Sequence, residues 1–226
     1  MGLENVLSLV PVSFNGEKKT CSNAWLIPIL KRYASGASLC YFMDHIVPLA
    51  KSILKALKRA TLQGKLRSYA HEMWDLLPAF CRCPPDISQS FDSLAKLLAH
   101  SVKDDSSLHE TISISLQTLV NENMRVLGAN QDVNRHASLK DIHDKSESFP
   151  IGYTKKTASK NIKALASNSM DLIQTMADVF LDSPPEKHAV LKVLNPSSTY
   201  HPCAFEMFPR QFYFSRDSIV IFGRFS

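Results

Sequence analysis

Serine, histidine and glutamate side chains lie close together at residues 106–110, which makes this segment the first place to look for catalysis. Hydrolysis by a serine nucleophile needs a histidine base and a carboxylate that orients it. Neighbours this close in sequence do not face one another in that way, whereas Ser107 followed three residues later by Glu110 is typical of a capping box. We therefore interpret the segment as a helix start, and an enzyme that uses His109, or the pair Cys81 and Cys83, is the alternative.

A second group of reactive side chains is the pair Cys81 and Cys83, two of the five cysteines in the chain. A structural zinc site has four ligands, and only His71 and His100 lie on neighbouring segments as further candidates. Free thiols packed into the core in a reducing compartment are the simpler interpretation. The adjacent acids at 104–105 are interpreted as a solvated turn. We predict no catalytic residue, no metal site and no cofactor.

Lysines and arginines at helical spacing form the densest basic segment of the chain, between residues 51 and 67, where no acid occurs. Spacings of i, i+4, i+7 and i+8 place the first four cations on one face of a helix. Such a face suits a phosphate backbone, whose charge supplies most of the affinity in sequence-independent binding. The six cations are Lys51, Lys55, Lys58, Arg59, Lys65 and Arg67.

A second basic segment opens a predicted helix further along the chain. It consists of Lys155, Lys156, Lys160 and Lys163. Because no aromatic residues lie among the lysines of the first segment, stacking of unpaired bases is not indicated there. We predict that both segments bind RNA or a protein partner, and a solvated helix face without a partner is the alternative.

The composition bounds the classes of protein to which the chain can belong. Its 226 residues are 45% hydrophobic and 21% charged, which is ordinary for a globular protein of one or two domains. A net charge of +5 allows a nucleic acid or an acidic protein as partner without requiring either. Seven glycines and no glycine-rich phosphate loop argue against a nucleotide site. Since neither a signal peptide nor a membrane-spanning run is recognisable, we expect a soluble intracellular protein.

Three prolines lie inside apolar runs within the first 80 residues, at Pro28, Pro48 and Pro78. Each run otherwise has the composition of a helix, and a proline inside a helix costs about 3 kcal/mol. The repetition predicts a unit of kinked or closely abutted helices that recurs along the chain. Helical repeat proteins act through surfaces, so we do not expect a catalytic cleft.

Apolar residues at spacings of three and four define the helices that position the basic segments. A helix at 23–34 is predicted to have Ser22 or Asn23 as its N-cap. The next helix is interpreted as bent or divided by Pro48. The further predicted helices cover residues 37–60, 63–80, 87–102, 108–123 and 154–182.

Changes in composition divide the chain into four parts. Two apolar stretches in the last part, at 212–214 and 219–222, are predicted to form a hairpin. The fold class is all-α, a solenoid of stacked antiparallel helices with a disordered linker and an irregular C-terminal tail. The four parts are a helical-repeat block at 1–123, a flexible linker at 124–153, a further helical-repeat segment at 154–194 and an aromatic-rich tail at 195–226.

Several motifs follow one another in a specific order along the chain. They include Ser22-Asn-Ala-Trp-Leu-Ile-Pro-Ile-Leu-Lys31, Asp44-His-Ile-Val-Pro-Leu-Ala-Lys51, Trp74-Asp-Leu-Leu-Pro-Ala-Phe-Cys81 and Ser115-Leu-Gln-Thr-Leu-Val-Asn-Glu-Asn123. In this combination they resemble the ribosomal RNA-processing protein 12 family in its plant form. The resemblance covers about residues 20–193, and the tail after about 195 departs from the family.

The resemblance implies a HEAT/armadillo-type solenoid of the nucleus and nucleolus that associates with precursor ribosomal particles. It implies a non-enzymatic scaffold for the processing of precursor ribosomal RNA and for subunit export, with RNA binding. An importin-like adaptor that binds proteins without direct RNA contact is the alternative that the same architecture allows. Family members are several times longer, so the chain resembles an internal slice of one.

Overall fold

The computed structural model describes residues 3–57, 63–128, 153–182, 212–215 and 218–221. It contains a π-helix at Phe42–Ile46 and a 3₁₀ turn at Ser106–Leu108. The described α-helices are, in chain order, α1 (Leu3–Leu9), α2 (Leu26–Tyr33), α3 (Leu39–Tyr41), α4 (Val47–Leu57), α5 (Gln63–Trp74), α6 (Leu77–Phe80), α7 (Ile87–Asp104), α8 (His109–Gly128), α9 (Lys155–Asn168) and α10 (Met170–Leu181).

Two of the three prolines in the apolar runs lie near helix starts, and the third lies inside a continuous helical stretch. Pro28 is the third residue of α2 and Pro78 the second of α6, where a backbone N–H has no partner within the helix. Pro48 is the second residue of α4, directly after the π-helix, whose wider turn accommodates the proline ring. The runs at Pro28 and Pro78 therefore begin helices, whereas the run at Pro48 lies in one continuous helical stretch that changes to a π-helix just before the proline.

Aromatic side chains fill the core where these helices meet. Phe42, Trp74 and Phe80 are buried, and the ring centroid of Phe42 lies 5.3 Å from that of Phe80 and 5.9 Å from that of Trp74. The pair with Trp74 packs edge to face, a geometry that aromatic pairs prefer. The core continues through Phe91 on α7 to Leu165 on α9. One apolar core therefore includes residues from both sides of the predicted linker.

The helices stack broadly in chain order, which confirms the all-α solenoid predicted from the apolar stripes. α4 packs along α5, α6 contacts α2 and α8, and α7 contacts α9 and α10. α8 also packs along α9. The helices that flank the predicted linker are therefore neighbours in the stack.

Asp86 connects α7 to the earlier helices by capping a helix other than its own. Its carboxylate accepts hydrogen bonds from the backbone N–H groups of Leu39 and Cys40, both at 2.9 Å. It also accepts from the hydroxyls of Ser38 at 2.8 Å and Ser90 at 2.7 Å. Burial acts to raise its pKa, yet these four hydrogen bonds hold the pKa of Asp86 below its usual value. The carboxylate is therefore an ionised link between α3 and α7.

The start of α2 differs from the prediction of Ser22 or Asn23 as N-cap. The helix begins at Leu26, and no side chain caps it. Asn23 lies in the left-handed region with φ of 56°, and its amide donates to the carbonyl of Pro11 at 2.9 Å. The Asn23 side chain therefore bonds to the N-terminal segment and does not cap α2. Local sequence patterns do not reveal this long-range contact.

Two helices predicted as continuous are divided. The helix predicted at 63–80 stops at Trp74 and resumes as α6, because a proline at the second position of α6 favours a new helix start. The helix predicted at 154–182 is divided at Ser169 into α9 and α10. Apolar residues are buried on both sides of each division, Met73 and Leu77 at the first and Leu165 and Met176 at the second.

The linker predicted at 124–153 differs from the structure at both ends. α8 continues to Gly128, so the linker does not begin at 124. At the other end, the Tyr153 hydroxyl donates to the side chain of Asn123 at 2.7 Å. Residues 129–152, the remainder of the predicted linker, lie outside the described residues.

A short hairpin near the N-terminus was not predicted. β1 (Ser13–Asn15) pairs antiparallel with β2 (Thr20–Ser22). The Asn15 side chain accepts from the N–H groups of Glu17 at 3.0 Å and Lys18 at 2.9 Å, which closes the turn. Strands of three residues carry too little alternation to be recognised from the sequence.

The tail contains a second hairpin. β3 (Phe212–Ser215) pairs antiparallel with β4 (Ser218–Ile221), which confirms the hairpin predicted for this region. The rest of the tail and the predicted helical residues 183–194 lie outside the described residues. Within the part of the chain that the structure describes, no helix has the length and apolar character needed to cross a membrane.

Candidate functional site

Three lysines of the second basic segment lie on one exposed face of α9. Thr154 caps this helix through its Oγ1, which accepts from the N–H of Thr157 at 3.2 Å. Lys156, Lys160 and Lys163 are exposed and, at 3.6 residues per turn, lie within an arc of about 60°. We call these three residues the α9 lysine face. The opposite side of α9 carries the buried residues Ala158, Asn161 and Leu165.

The α9 lysine face is not neutralised within the described part of the chain. α9 contains no acidic residue, and none of the three lysines forms an ion pair with a described residue. Lys155 and Lys156 lie in the first helical turn, where the helix dipole disfavours a cation by about 0.3–1 kcal/mol. These positions add positive potential at the expense of helix stability, and an anion is the ligand that they suit.

A buried polar cluster fixes α9 against α8. The Tyr153 hydroxyl and the Asn161 amide both donate to Oδ1 of Asn123, at 2.7 Å and 3.1 Å. The Asn123 amide donates to the carbonyl of Leu119 at 2.7 Å. Burial raises the pKa of Tyr153 to about 12, so its hydroxyl keeps the donated proton at neutral pH. The cluster thereby sets the position of the α9 lysine face.

The first basic segment is spread over two helices. Lys51 and Lys55 are exposed one turn apart on α4. Lys65 and Arg67 are exposed on α5, where a spacing of two residues directs them to opposite sides of the helix. The remaining two predicted cations lie outside the described residues: Lys58 and Arg59. The described residues therefore show one pair of cations on a common face, that of α4.

A groove lies between α4 and the first hairpin, beside the α4 lysines. Its volume is about 270 Å³. Lys19, which the sequence analysis did not single out, joins Lys55 there and lies in the left-handed region with φ of 51°. Small-molecule sites usually have volumes of roughly 300–1,000 Å³, so the groove is small for a cofactor. Its lining residues are Phe14, Gly16, Lys19, Ser52, Lys55 and Ala56.

The serine and histidine near the start of α8 do not form a catalytic site. His109 is buried, and its Nε2 lies 2.8 Å from the carbonyl oxygen of Val102. The Ser107 hydroxyl contacts the Asp105 carboxylate and, at 3.4 Å, Nε2 of His71. In a catalytic triad the histidine lies between serine and acid, whereas here the serine lies between the other two. The contacts are those of a turn that packs against α5.

The capping box predicted from Ser107 and Glu110 is wrong. The cap is Asp105, whose carboxylate accepts from the N–H of Ser107 at 3.0 Å and so starts a 3₁₀ turn. The neighbouring acid, Asp104, pairs with His100 at 3.0 Å. The helix start itself was predicted correctly to within a residue, but the side chain that stabilises it lies two positions earlier.

The cysteine pair is held as protonated thiols. Cys81 is fully buried, and burial raises its pKa above the ordinary thiol value. Burial, together with Glu122, whose Oε2 lies 3.4 Å from Sγ, raises the pKa of Cys83 to about 12. A thiol is a poor metal ligand and nucleophile unless it is deprotonated. Among the described residues, no group of three or more potential ligands is placed to hold a metal ion.

A family model described as "Ribosomal RNA-processing protein 12, HEAT repeats" matches residues 1–183 of the chain. The match includes the first 20 residues, whereas the resemblance based on sequence motifs began at about residue 20. It ends at the close of α10, before the residues of the tail. The match therefore covers every described helix.

Curated relatives agree with this match. The chain is 31% identical over 145 residues to the "RRP12-like protein" of Gallus gallus, covering 61% of the chain and 11% of the relative. It is 26% identical over 197 residues to "Ribosomal RNA-processing protein 12" of Saccharomyces cerevisiae, covering 84% and 15%. The corresponding protein of Schizosaccharomyces pombe, named as putative, is 26% identical over 202 residues, covering 86% and 16%. The chain thus spans 11% to 16% of the length of these relatives.

Proposed function

The chain belongs to the ribosomal RNA-processing protein 12 family, and on that premise we propose that it is a non-enzymatic helical-repeat scaffold in ribosome biogenesis. The proposed setting is the maturation and export of pre-ribosomal particles in the nucleus and nucleolus. The names of the yeast relatives support a role in ribosomal RNA processing. Because the chain spans a small share of their length, it would supply one section of a longer scaffold.

The proposed RNA contact is carried by one observation, the α9 lysine face. Three exposed lysines at spacings of four and three are held on a helix without acids, and one of them, Lys156, lies in the first turn, where the helix dipole disfavours a cation. Precursor ribosomal RNA offers phosphates at regular spacing, and a face of this kind binds them without reading sequence. Lys51 and Lys55, with Lys19 in the adjacent groove, form a second and smaller contact.

The RNA contact is tested by charge reversal on α9. The variant carries Lys156→Glu and Lys160→Glu, and the matched control carries Lys96→Glu and Lys103→Glu on α7. Both variants change the net charge equally, and all four residues are exposed. Fluorescence anisotropy with a labelled fragment of precursor ribosomal RNA measures the affinity at several salt concentrations. We expect a loss of at least about tenfold for the α9 variant at low salt and a smaller, non-specific loss for the control.

Two results would contradict the RNA contact. The first is an equal loss in both variants, since this would reflect net charge alone. The second combines two observations: the purified chain binds no RNA, and a pull-down with the chain still retains its bound proteins after nuclease treatment. That second result would favour an importin-like adaptor that binds acidic proteins through the same lysines.

A further inference from the structure

The outer face of α2 exposes large apolar side chains, of which Trp25 and Ile29 belong to the apolar run around Pro28. Trp25 is 62% exposed, Ile29 45% and Tyr33 71%. A spacing of four residues places the three side chains in one row along the helix. The opposite side of α2 is anchored in the core by Leu26 and Ile27. The row is therefore held rigidly, and Trp25 and Tyr33 are about 12 Å apart along the helix axis.

Two guanidinium groups lie at the C-terminal end of this row. The Cζ atom of Arg32 lies 5.3 Å from the ring centroid of Tyr33. Arg82 reaches the same end of α2, where its Nη1 donates to the carbonyl of Arg32 at 2.8 Å. Neither guanidinium forms an ion pair with a described residue. α2 contains no acid, and its other cation, Lys31, is already paired with Asp75 at 3.0 Å.

We propose that this face, formed by Trp25, Ile29, Arg32 and Tyr33, is a stacking platform for unpaired bases of single-stranded RNA. Exposed aromatic rings bind bases by their π-faces, and neighbouring arginines bind the phosphates that follow. Arg32 already lies over the Tyr33 ring. This position pre-orients the Arg32 guanidinium both to stack on a base and to bind a phosphate.

Charge decides between a nucleic acid and an apolar helix as the occupant. An apolar helix would cover the row but would also remove two guanidinium groups from water without supplying an acid. A single strand of RNA covers the rings with its bases and meets the guanidinium groups with its phosphates. The platform rests on the proposed function in one respect, that RNA is the partner. It does not depend on the basic segments, because it lies on α2 and they lie on α4, α5 and α9.

Tryptophan fluorescence gives a direct readout of the platform. The chain has two tryptophans, and Trp74 is buried, so the exposed Trp25 is the one that RNA can reach. The 226-residue chain is titrated with an oligouridylate and, separately, with a blunt RNA duplex of equal length. We expect saturable quenching by the oligouridylate, weaker quenching by the duplex, and loss of the quenching in Trp25→Phe, which retains only the buried tryptophan.

Affinity measurements then separate stacking from charge. Loss of one stacked base is expected to weaken oligouridylate binding by about 5- to 150-fold in Tyr33→Ala, with little effect on the duplex. Arg32→Lys keeps the charge but loses the planar group, and a smaller loss for the oligouridylate alone is expected. Leu9→Ala removes another exposed apolar side chain and is the control, for which no change is expected.

The possible results distinguish this proposal from the RNA contact on α9. If Lys156→Gln with Lys160→Gln weakens binding of both RNA forms while Tyr33→Ala changes neither, the platform is wrong and the proposed function stands. If Tyr33→Ala weakens both forms equally, stacking of unpaired bases is again excluded. A concentration-dependent self-association that Trp25→Ala abolishes without any change in RNA affinity would show that the face is a protein interface.

Discussion

The two basic segments have similar compositions, but the structure arranges them differently. On α9 three lysines share one arc of a single helix, without an acid on that helix. Between 51 and 67 the cations are divided between α4 and α5, and only the α4 pair shares a face among the described residues. The density of lysines in sequence is therefore a weaker indicator of a shared cationic face than continuity of the helix that carries them.

The two segments also differ in how they are attached to the solenoid. α9 is fixed by the uncharged cluster of Asn123, Tyr153 and Asn161, in which the side chains satisfy one another. The helical stretch that leads into α4 is fixed at its start by the ionised carboxylate of Asp86. The stability that an uncharged cluster contributes depends on geometry alone, whereas the stability that an ionised cap contributes also depends on pH.

The largest effect is expected from removal of the uncharged cluster. Asn123→Ala leaves the Tyr153 hydroxyl and the Asn161 amide without their shared acceptor, which we expect to destabilise the fold by about 2–4 kcal/mol. Urea unfolding measures the change. Asn168→Ala is the control, because that side chain is exposed and bonds only within its own helix. A loss below about 0.5 kcal/mol for Asn123→Ala would show that the cluster does not position α9.

A smaller effect is expected at the charged cap. Asp86→Ala removes four hydrogen bonds to α3 and α7, and we expect a loss of about 2 kcal/mol in the same unfolding assay. Asp92→Ala on the exposed side of α7 removes only a surface ion pair with Lys96 and should cost about 0.5 kcal/mol or less. Equal losses in the two variants would show that Asp86 does not connect the helices.

The pH dependence of stability should separate the two attachments further. The pKa of Asp86 is lowered in the folded chain, so the unfolded state binds its proton first as the pH falls. The stability that the carboxylate contributes is present above its unfolded pKa of about 3.9 and is lost as the pH falls through the lower folded value. The stability difference between the wild type and Asp86→Asn should therefore shrink below about pH 4.

Unfolding of both chains at pH 6, 5, 4 and 3 measures this difference. Asn123→Ala serves as the comparison, because its stability deficit involves no carboxylate and should change little over the same range. A wild-type advantage over Asp86→Asn that stays constant down to pH 3 would contradict the ionised cap.

The sequence predicted the fold class and the buried stripes because both depend on local periodicity. Phe42, Ile46, Val47, Ala50 and Ile53 are buried where the spacing of three and four placed them. Helix ends were less predictable because they depend on partners distant in the chain. Ser107 has the pattern of a cap but the cap is Asp105, and Asp86 caps a helix 46 residues away.

The surfaces were predicted less well than the core. Lys156, Lys160 and Lys163 lie on one face of α9, since all three are on one helix, whereas Lys155 lies about 100° away from Lys156 around the helix axis. In contrast, the exposure of Trp25 and Tyr33 was not predicted, and only the packing of α2 shows it. The position of Lys19 beside Lys55 depends on a hairpin that was not predicted. In the sequence, only the adjacent Lys18 and Lys19 in the hairpin turn indicated a further cationic site.

The central claim is that the α9 lysine face is the main contact to phosphates, and salt dependence of RNA affinity tests it most directly. Two charge-matched variants are compared, Lys156→Gln with Lys160→Gln and Lys51→Gln with Lys55→Gln. For each lost phosphate contact the slope of log affinity against log salt concentration falls by about 1. The account predicts a decrease of about 2 for the α9 variant and a clearly smaller one for the α4 variant. An unchanged slope for the α9 variant, or the larger decrease in the α4 variant, would contradict it.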